Sequence, residues 1–109
     1  MPALPMARFD LHPNPFAPER VHTPLVLDVQ NDHLGPLATR VVIPLRTAKA
    51  MATPARGLNP VFEIDGRTLV LDTASLAPVP TNLLKRPAPL PASCRDEVLD
   101  ALDTLFGAY

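Results

Sequence analysis

Apolar and polar residues alternate along several short stretches of the chain, and a period of two is typical of half-buried β-strands. Clusters of proline, glycine, asparagine and aspartate separate these stretches and predict loops and turns between them. The predicted strands lie in RFDL at residues 8–11, LVLDVQ at 25–30, TRVVIPL at 39–45, VFEIDGRTLVL at 61–71 and ASLAPVP at 74–80. The pattern therefore predicts a sheet of short strands.

The segment at 61–71 gives the sharpest of these predictions. Two alternating runs flank Asp65 and Gly66, a pair that suits a two-residue type I′ hairpin turn. The apolar residues expected to pack across the hairpin are Phe62, Ile64, Leu69 and Leu71.

Proline shapes the predictions elsewhere in the chain. Pro44 has no N–H, so we expect it to confine the strand at 39–45 to a sheet edge or a strand end. RTAKAMA at 46–52 is expected to form about a turn and a half of helix before Pro54. The proline-rich segments at 12–18 and 81–93 are expected to be connecting loops.

The C-terminal segment DEVLDALDTLFGAY at 96–109 predicts an amphipathic helix. Ser93 followed by Asp96 is a variant of the capping box at its start, and Gly107 stands where a left-handed C-cap residue belongs. A helix of about 13 residues is marginal alone, so its apolar stripe should pack on the sheet. The stripe comprises Val98, Leu99, Leu102, Leu105 and Phe106.

These elements predict a mainly β fold, a small antiparallel sheet or partly closed barrel with one C-terminal α-helix. The length of 109 residues fits a single domain over 1–109. Apolar residues make up 47% of the chain and charged residues 19%, a balance typical of a folded globule rather than a disordered chain.

Charge and cysteine content narrow the choice of compartment and partner. The formal net charge is -1, and no basic stripe favours direct binding to nucleic acid. The single cysteine, Cys94, fits a reducing compartment. We expect no signal peptide in MPALPMARFD and no membrane span, because no apolar run approaches about 20 residues. The expected location is the cytoplasm.

Candidate chemistry is sparse. His12, His22 and His33 lack zinc-ligand spacing, and we expect His12 and His22 to be surface residues beside a loop. Cys94 lacks an evident partner base and is interpreted as incidental. The acidic residues Asp28, Asp32, Glu63, Asp65 and Asp72 are interpreted as solvated strand and turn positions. We therefore expect a binding protein rather than an enzyme, with no catalytic residues, metal or cofactor.

Several stretches in order resemble the CcdB toxins of bacterial toxin–antitoxin pairs. LVLDVQND is similar to the family's D-V-Q strand, and TRVVIPL is similar to its arginine-containing strand ending in V-I-P-L. LNPVFEIDGRTLVLDTASLAPVP resembles its hairpin and the segment that follows, and DEVLDALDTLFGAY resembles its closing helix. With RFDL, the resemblance covers nearly the whole chain from Arg8.

The resemblance implies an SH3-like small barrel with a C-terminal helix that forms a homodimer. It implies a toxin that binds the gyrase A protein of DNA gyrase and traps the enzyme on cleaved DNA. It also implies a CcdA-like antitoxin whose disordered segment folds on the toxin, in a complex that represses its own operon. DNA would be met only through the antitoxin or gyrase.

The resemblance also implies where gyrase binds, at the end of the helix and in the loop after the D-V-Q strand. The chain departs from the family there: Gly107, Ala108 and Tyr109 stand where the family has Trp-Gly-Ile. Either a one-residue shift places Phe106 in the tryptophan position or Tyr109 is the aromatic anchor. The family has an isoleucine pair in place of His33-Leu34 and an asparagine in place of Asp103. The expected gyrase-binding residues are Asn31, His33, Leu34, Asp103, Phe106, Gly107, Ala108 and Tyr109.

Two alternatives stay open. The missing tryptophan favours a CcdB-like protein that no longer poisons gyrase and keeps regulation, antitoxin binding or another protein target. The related MazF/Kid endoribonucleases share the fold and need an arginine and a proton-transfer group, for which Arg40 and Asp72 are available. The proline-rich segment at 12–24, in place of the family's charged first hairpin, predicts a different antitoxin specificity.

Overall fold

Short strands and one terminal helix make up the computed structural model, which describes residues 7–34 and 37–107. The strands are β1 (Asp10–Pro13), β2 (Leu25–Asp28), β3 (Thr39–Thr47), β4 (Val61–Ile64), β5 (Arg67–Leu71), β6 (Ala77–Pro80) and β7 (Ala88–Pro89). The helix is α1 (Arg95–Phe106). Single 3-10 turns lie at Ala17–Val21, Asp32–Leu34, Thr73–Ser75, Thr81–Leu83 and Ala92–Cys94.

The strands form an antiparallel sheet in the order β4-β5-β3-β2-β1-β7, and β6 also pairs with β3. The sheet curls into a half-barrel with α1 as its one α-helix, which confirms the predicted mainly β fold with a C-terminal helix. Leu27, Ile43, Leu45 and Leu71 are fully buried in the main core. Val98 of α1 joins them, so the helix contributes directly to that core. Among the described residues no helix is long and apolar enough to cross a membrane.

The hairpin prediction is confirmed. Asp65 has φ 51° and Gly66 has φ 78°, so both central residues adopt the left-handed backbone that a type I′ turn requires. Phe62 lies opposite Leu69 in the register. All the apolar residues expected to pack across the hairpin are buried in the main core: Phe62, Ile64, Leu69 and Leu71.

The prediction for Pro44 is wrong, because Pro44 lies within the central strand. β3 pairs with β2 along one side, while β6 and β5 share its other side. The carbonyl of Pro44 accepts from the Asp72 N–H at 3.0 Å. The nitrogen of a strand residue points to the same side as its carbonyl, so that of Pro44 faces the junction where β6 gives way to β5. No ladder hydrogen bond is lost there.

Two other boundaries differ from the predictions. The first strand begins at Asp10, not at residue 8, because Phe9 has φ 71° and the Asp10 N–H donates to the carbonyl of Ala7 in a turn. The predicted helix at 46–52 is wrong. β3 continues to Thr47, and a single turn follows in which the Met51 N–H donates to the Thr47 carbonyl.

The terminal helix is confirmed, but its start and its buried face are not as predicted. Cys94 is the N-cap residue and no side chain caps the helix, so the capping box at Ser93 is wrong. Val98 and Ala101 are the buried positions, whereas Phe106 is 71% exposed. Gly107 has φ 74° and donates its N–H to the Asp103 carbonyl, which confirms the left-handed C-cap.

Candidate functional site

A groove of about 470 Å³ lies between the turn after β2 and the last turn of α1. Apolar side chains from three elements form much of its wall: Val41 of β3, Leu102 of α1 and Leu76 after the 3-10 turn at Thr73–Ser75. We call it the terminal groove. Its lining residues are Arg8, Val29, Gln30, Asn31, Leu34, Val41, Leu76, Leu102 and Phe106.

The structure brings some of the predicted site residues together in this groove. Asn31 and Leu34 approach it from the turn, and Phe106 approaches it from the helix. His33 and Asp103 are exposed but do not line it. Gly107 is also exposed and serves as the helix cap. The expectations for Ala108 and Tyr109 lie outside the described residues.

The rim of the groove exposes large apolar side chains. Phe106 is 71% exposed and Leu34 is 57% exposed, on opposite sides of the opening. An aromatic ring and a leucine that stand at the edge of an apolar groove suit a protein partner, because burying them would remove apolar surface from water. The site has the character of a docking surface rather than of a reaction centre.

A buried ion pair lies beneath the turn that supplies Asn31 and Leu34. Arg40 donates from Nε to Asp28 Oδ2 at 2.8 Å and from Nη2 to Asp28 Oδ1 at 3.0 Å. Burial lowers the pKa of Arg40, but hydrogen bonds and charges from Asp28 and Asp32 outweigh it, and the pKa lies above its ordinary value. The guanidinium therefore stays charged beneath the turn.

The interpretation of Asp28 as a solvated strand residue is wrong, since it is completely buried by this pair. Glu63 and Asp65 are exposed, as expected. Arg40 and Asp72, the possible ribonuclease residues, are not paired with one another. Arg40 binds Asp28, and Asp72 binds Arg46 at 2.7 Å.

The expectation that His12 is a surface residue is also wrong. His12 lies in β1 with no exposed surface, and its Nδ1 is 2.9 Å from the Lys85 carbonyl oxygen. His22 is exposed, as expected. Within 7–34 and 37–107, no group of three or more histidine, cysteine, aspartate or glutamate residues is placed to hold a metal ion.

Several groove residues escaped the sequence reasoning. Arg8 lines the groove and donates from Nε to the Val29 carbonyl at 3.1 Å. Gln30 is buried and accepts from the Val41 N–H at 3.0 Å through Oε1. Their spacing in the sequence carries no local signal, because each is brought to the groove by strand pairing. The apolar stripe of α1 was the only pattern that pointed to a groove residue on the wall, Leu102.

Comparison with known proteins adds a family. A protein-family model described as CcdB protein matches residues 8–107 of the chain. No curated protein matches the chain at a significant level.

Proposed function

The chain belongs to the CcdB family, and on that premise we propose that it poisons DNA gyrase as the toxin of a type II toxin–antitoxin system. In this proposal it binds gyrase A and holds the enzyme on cleaved DNA. It acts by binding, with no catalytic residue and no cofactor of its own. It would act in the cytoplasm, where gyrase works, as a single-domain protein.

The observation that supports this proposal best is the exposed aromatic rim of the terminal groove. Phe106 ends the apolar side of α1 but stays 71% exposed, so packing within the described residues does not account for an aromatic side chain there. Leu34 faces it across the groove. We assign both to the gyrase contact, together with Asn31 on the same turn.

The missing tryptophan bears on the strength of this contact. Tryptophan is the best partner for an arginine in a cation–π contact, and phenylalanine and tyrosine are weaker. We assign the aromatic role to Phe106, which corresponds to a one-residue shift along the helix, because its ring stands at the rim. Tyr109 is the other candidate for this role.

The proposed partners follow the family. The toxin would form a homodimer and bind a CcdA-like antitoxin whose disordered segment folds on it, and the complex would repress its own operon. The proline-rich turn at Ala17–Val21 replaces a charged hairpin, so we propose that this antitoxin differs in sequence from those of other family members.

Expression of the chain alone in a host whose gyrase matches its source tests the proposal. We expect growth arrest that a mutation in gyrase A relieves and that co-expression of the neighbouring antitoxin also relieves. Healthy growth with soluble protein present in the cells would contradict it.

A homologue that keeps regulation but no longer poisons gyrase is the second candidate, and the glycine at the tryptophan position favours it. It predicts that purified protein binds the antitoxin but not gyrase A. The ribonuclease alternative receives less support, since Arg40 is 5% exposed and engaged by Asp28. RNA that stays intact in a metal-free assay would exclude that alternative.

A further inference from the structure

Arg40 lies next to the terminal groove but is not among the residues that line it. Its side chain is 6% exposed, so a docked protein would not reach its guanidinium. The groove-facing residues of the neighbouring turn are nevertheless connected to it through hydrogen bonds. Arg40 therefore differs from the rim residues, which offer surface to a partner.

The guanidinium of Arg40 bonds to both ends of the chain segment that enters the turn. Its Nη2 lies 3.0 Å from Asp28 Oδ1 at the end of β2, and 3.3 Å from the Gln30 carbonyl oxygen. The same nitrogen lies 3.2 Å from Asp32 Oδ1, at the start of the 3-10 turn. One side chain on β3 thus holds the strand end and the turn in a fixed relation.

Asp32 extends this connection to the other side of the groove. Its Oδ1 also accepts from the backbone N–H of Arg8 at 2.9 Å. Arg8 lines the groove and donates to the Val29 carbonyl. Asp32 is therefore the link between the buried guanidinium, the turn and the groove wall, although its own side chain is 53% exposed.

We propose that Arg40 is a positioning residue for target binding, which acts through Asp32 and Gln30 to hold Asn31–Leu34 in the conformation that a protein target recognises. The inference rests on the proposed function of the turn as a gyrase contact. A turn held in place before binding loses little conformational entropy on docking, whereas a released turn must be ordered at that moment. Lysine cannot replace Arg40, since a single ammonium group lacks the planar fork that reaches these acceptors together.

The test compares Asp32→Ala, Asp32→Asn and Arg40→Lys with the unaltered protein. Arg46→Lys is the matched control, because it alters the Arg46–Asp72 ion pair away from the groove. Three quantities are measured: the Kd for purified gyrase A, the amide hydrogen exchange of His33 and Leu34 in the free protein, and Tm. The Asp32 variants keep the test decisive if Arg40→Lys fails to fold.

For Asp32→Ala we expect binding weaker by about tenfold, faster exchange at the Leu34 amide, and a nearly unchanged Tm. Asp32→Asn keeps an oxygen acceptor for Arg40 and for the Arg8 N–H, so it should bind within about threefold of the unaltered protein. Arg46→Lys should lower Tm without changing the Kd.

Unchanged binding or unchanged exchange in Asp32→Ala would overturn the inference. Equal loss in Asp32→Asn and Asp32→Ala would also overturn it, because a direct charge contact between Asp32 and the target would then account for the effect. If the unaltered protein itself does not bind gyrase A, the proposed function fails first and the inference fails with it.

Discussion

Arg40 and Asp28 form a two-pronged ion pair inside the protein, with Nε to Oδ2 at 2.8 Å and Nη2 to Oδ1 at 3.0 Å. Asp28 has no exposed surface and Arg40 has 5%. A buried pair of this kind need not add net stability, because both charges lose their hydration. Breaking it, however, leaves one charge in the interior without its partner.

Removal of one member of the pair should therefore be costly. We expect Asp28→Asn to lower the free energy of unfolding by about 3 kcal/mol or more, since Arg40 would keep its charge without a carboxylate beside it. Urea denaturation at neutral pH measures the change.

The Arg46–Asp72 pair provides the comparison, because its side chains are 25% and 16% exposed. Asp72→Asn should cost clearly less than Asp28→Asn, on the order of 1 kcal/mol. Equal costs at the two sites would show that burial does not set the value of the Asp28 contact.

The elements that sequence reasoning predicted well are those with local causes. Asp65 and Gly66 specify their turn through backbone preference alone, and Gly107 ends its helix for the same reason. Pro44 was misplaced because its effect depends on which strand lies on each side, and the sequence does not specify strand order. Asp28 was misjudged likewise, since its partner Arg40 comes from a neighbouring strand.

The groove was predicted in part for the same physical reason. The resemblance indicated the turn and the helix end, and the structure places Asn31, Leu34 and Phe106 along one groove. Phe106 seemed to continue the packed stripe of the helix. It is exposed instead because α1 rests on the sheet through Val98 and Ala101, which puts its last turn beyond the main core.

Gly66 should be hard to replace, although an added Cβ would meet no atom within 4 Å. Its φ of 78° lies in the region that residues with a side chain avoid, so we expect Gly66→Ala to cost about 1 kcal/mol. Asparagine tolerates this backbone better, and Gly66→Asn should cost less than Gly66→Ala. Thermal unfolding of the two variants tests the order, and a smaller loss for alanine would contradict the backbone explanation.

Asp10 should make stability fall as the pH rises from the acidic side. Burial raises the pKa of Asp10 above its ordinary value of 3.8, although the hydrogen bond from the Ala7 N–H acts in the opposite direction. Between 3.8 and the raised pKa the folded protein binds more protons at Asp10 than the unfolded chain does. The free energy of unfolding therefore decreases with pH across that window.

Asp10→Asn removes this contribution while it keeps an oxygen acceptor for Ala7. Unfolding free energies of both proteins at pH 3 and pH 7 isolate the effect, because most other carboxylates contribute equally to both. Relative to the variant, the unaltered protein should be less stable at pH 7 than at pH 3. The opposite sign would show that favourable contacts of the ionised carboxylate outweigh its burial.

Phe106 should matter for the target and little for the fold. Because its ring is 71% exposed, we expect Phe106→Ala to leave Tm nearly unchanged. Loss of a central aromatic anchor weakens an interface by about 30-fold or more, so the variant should lose most of its affinity for gyrase A. Leu99→Ala is the matched control on the same helix, since Leu99 is 37% exposed and lies outside the terminal groove.

Two further substitutions decide which aromatic residue is the anchor. If Phe106 occupies the tryptophan position, Phe106→Trp should bind gyrase A more tightly than the unaltered protein, because indole gives the strongest cation–π contact. Tyr109→Ala should then change the Kd little. Calorimetric titration of both variants separates the two assignments: a large loss in Tyr109→Ala, with no gain in Phe106→Trp, would transfer the anchor to Tyr109 and reject the one-residue shift.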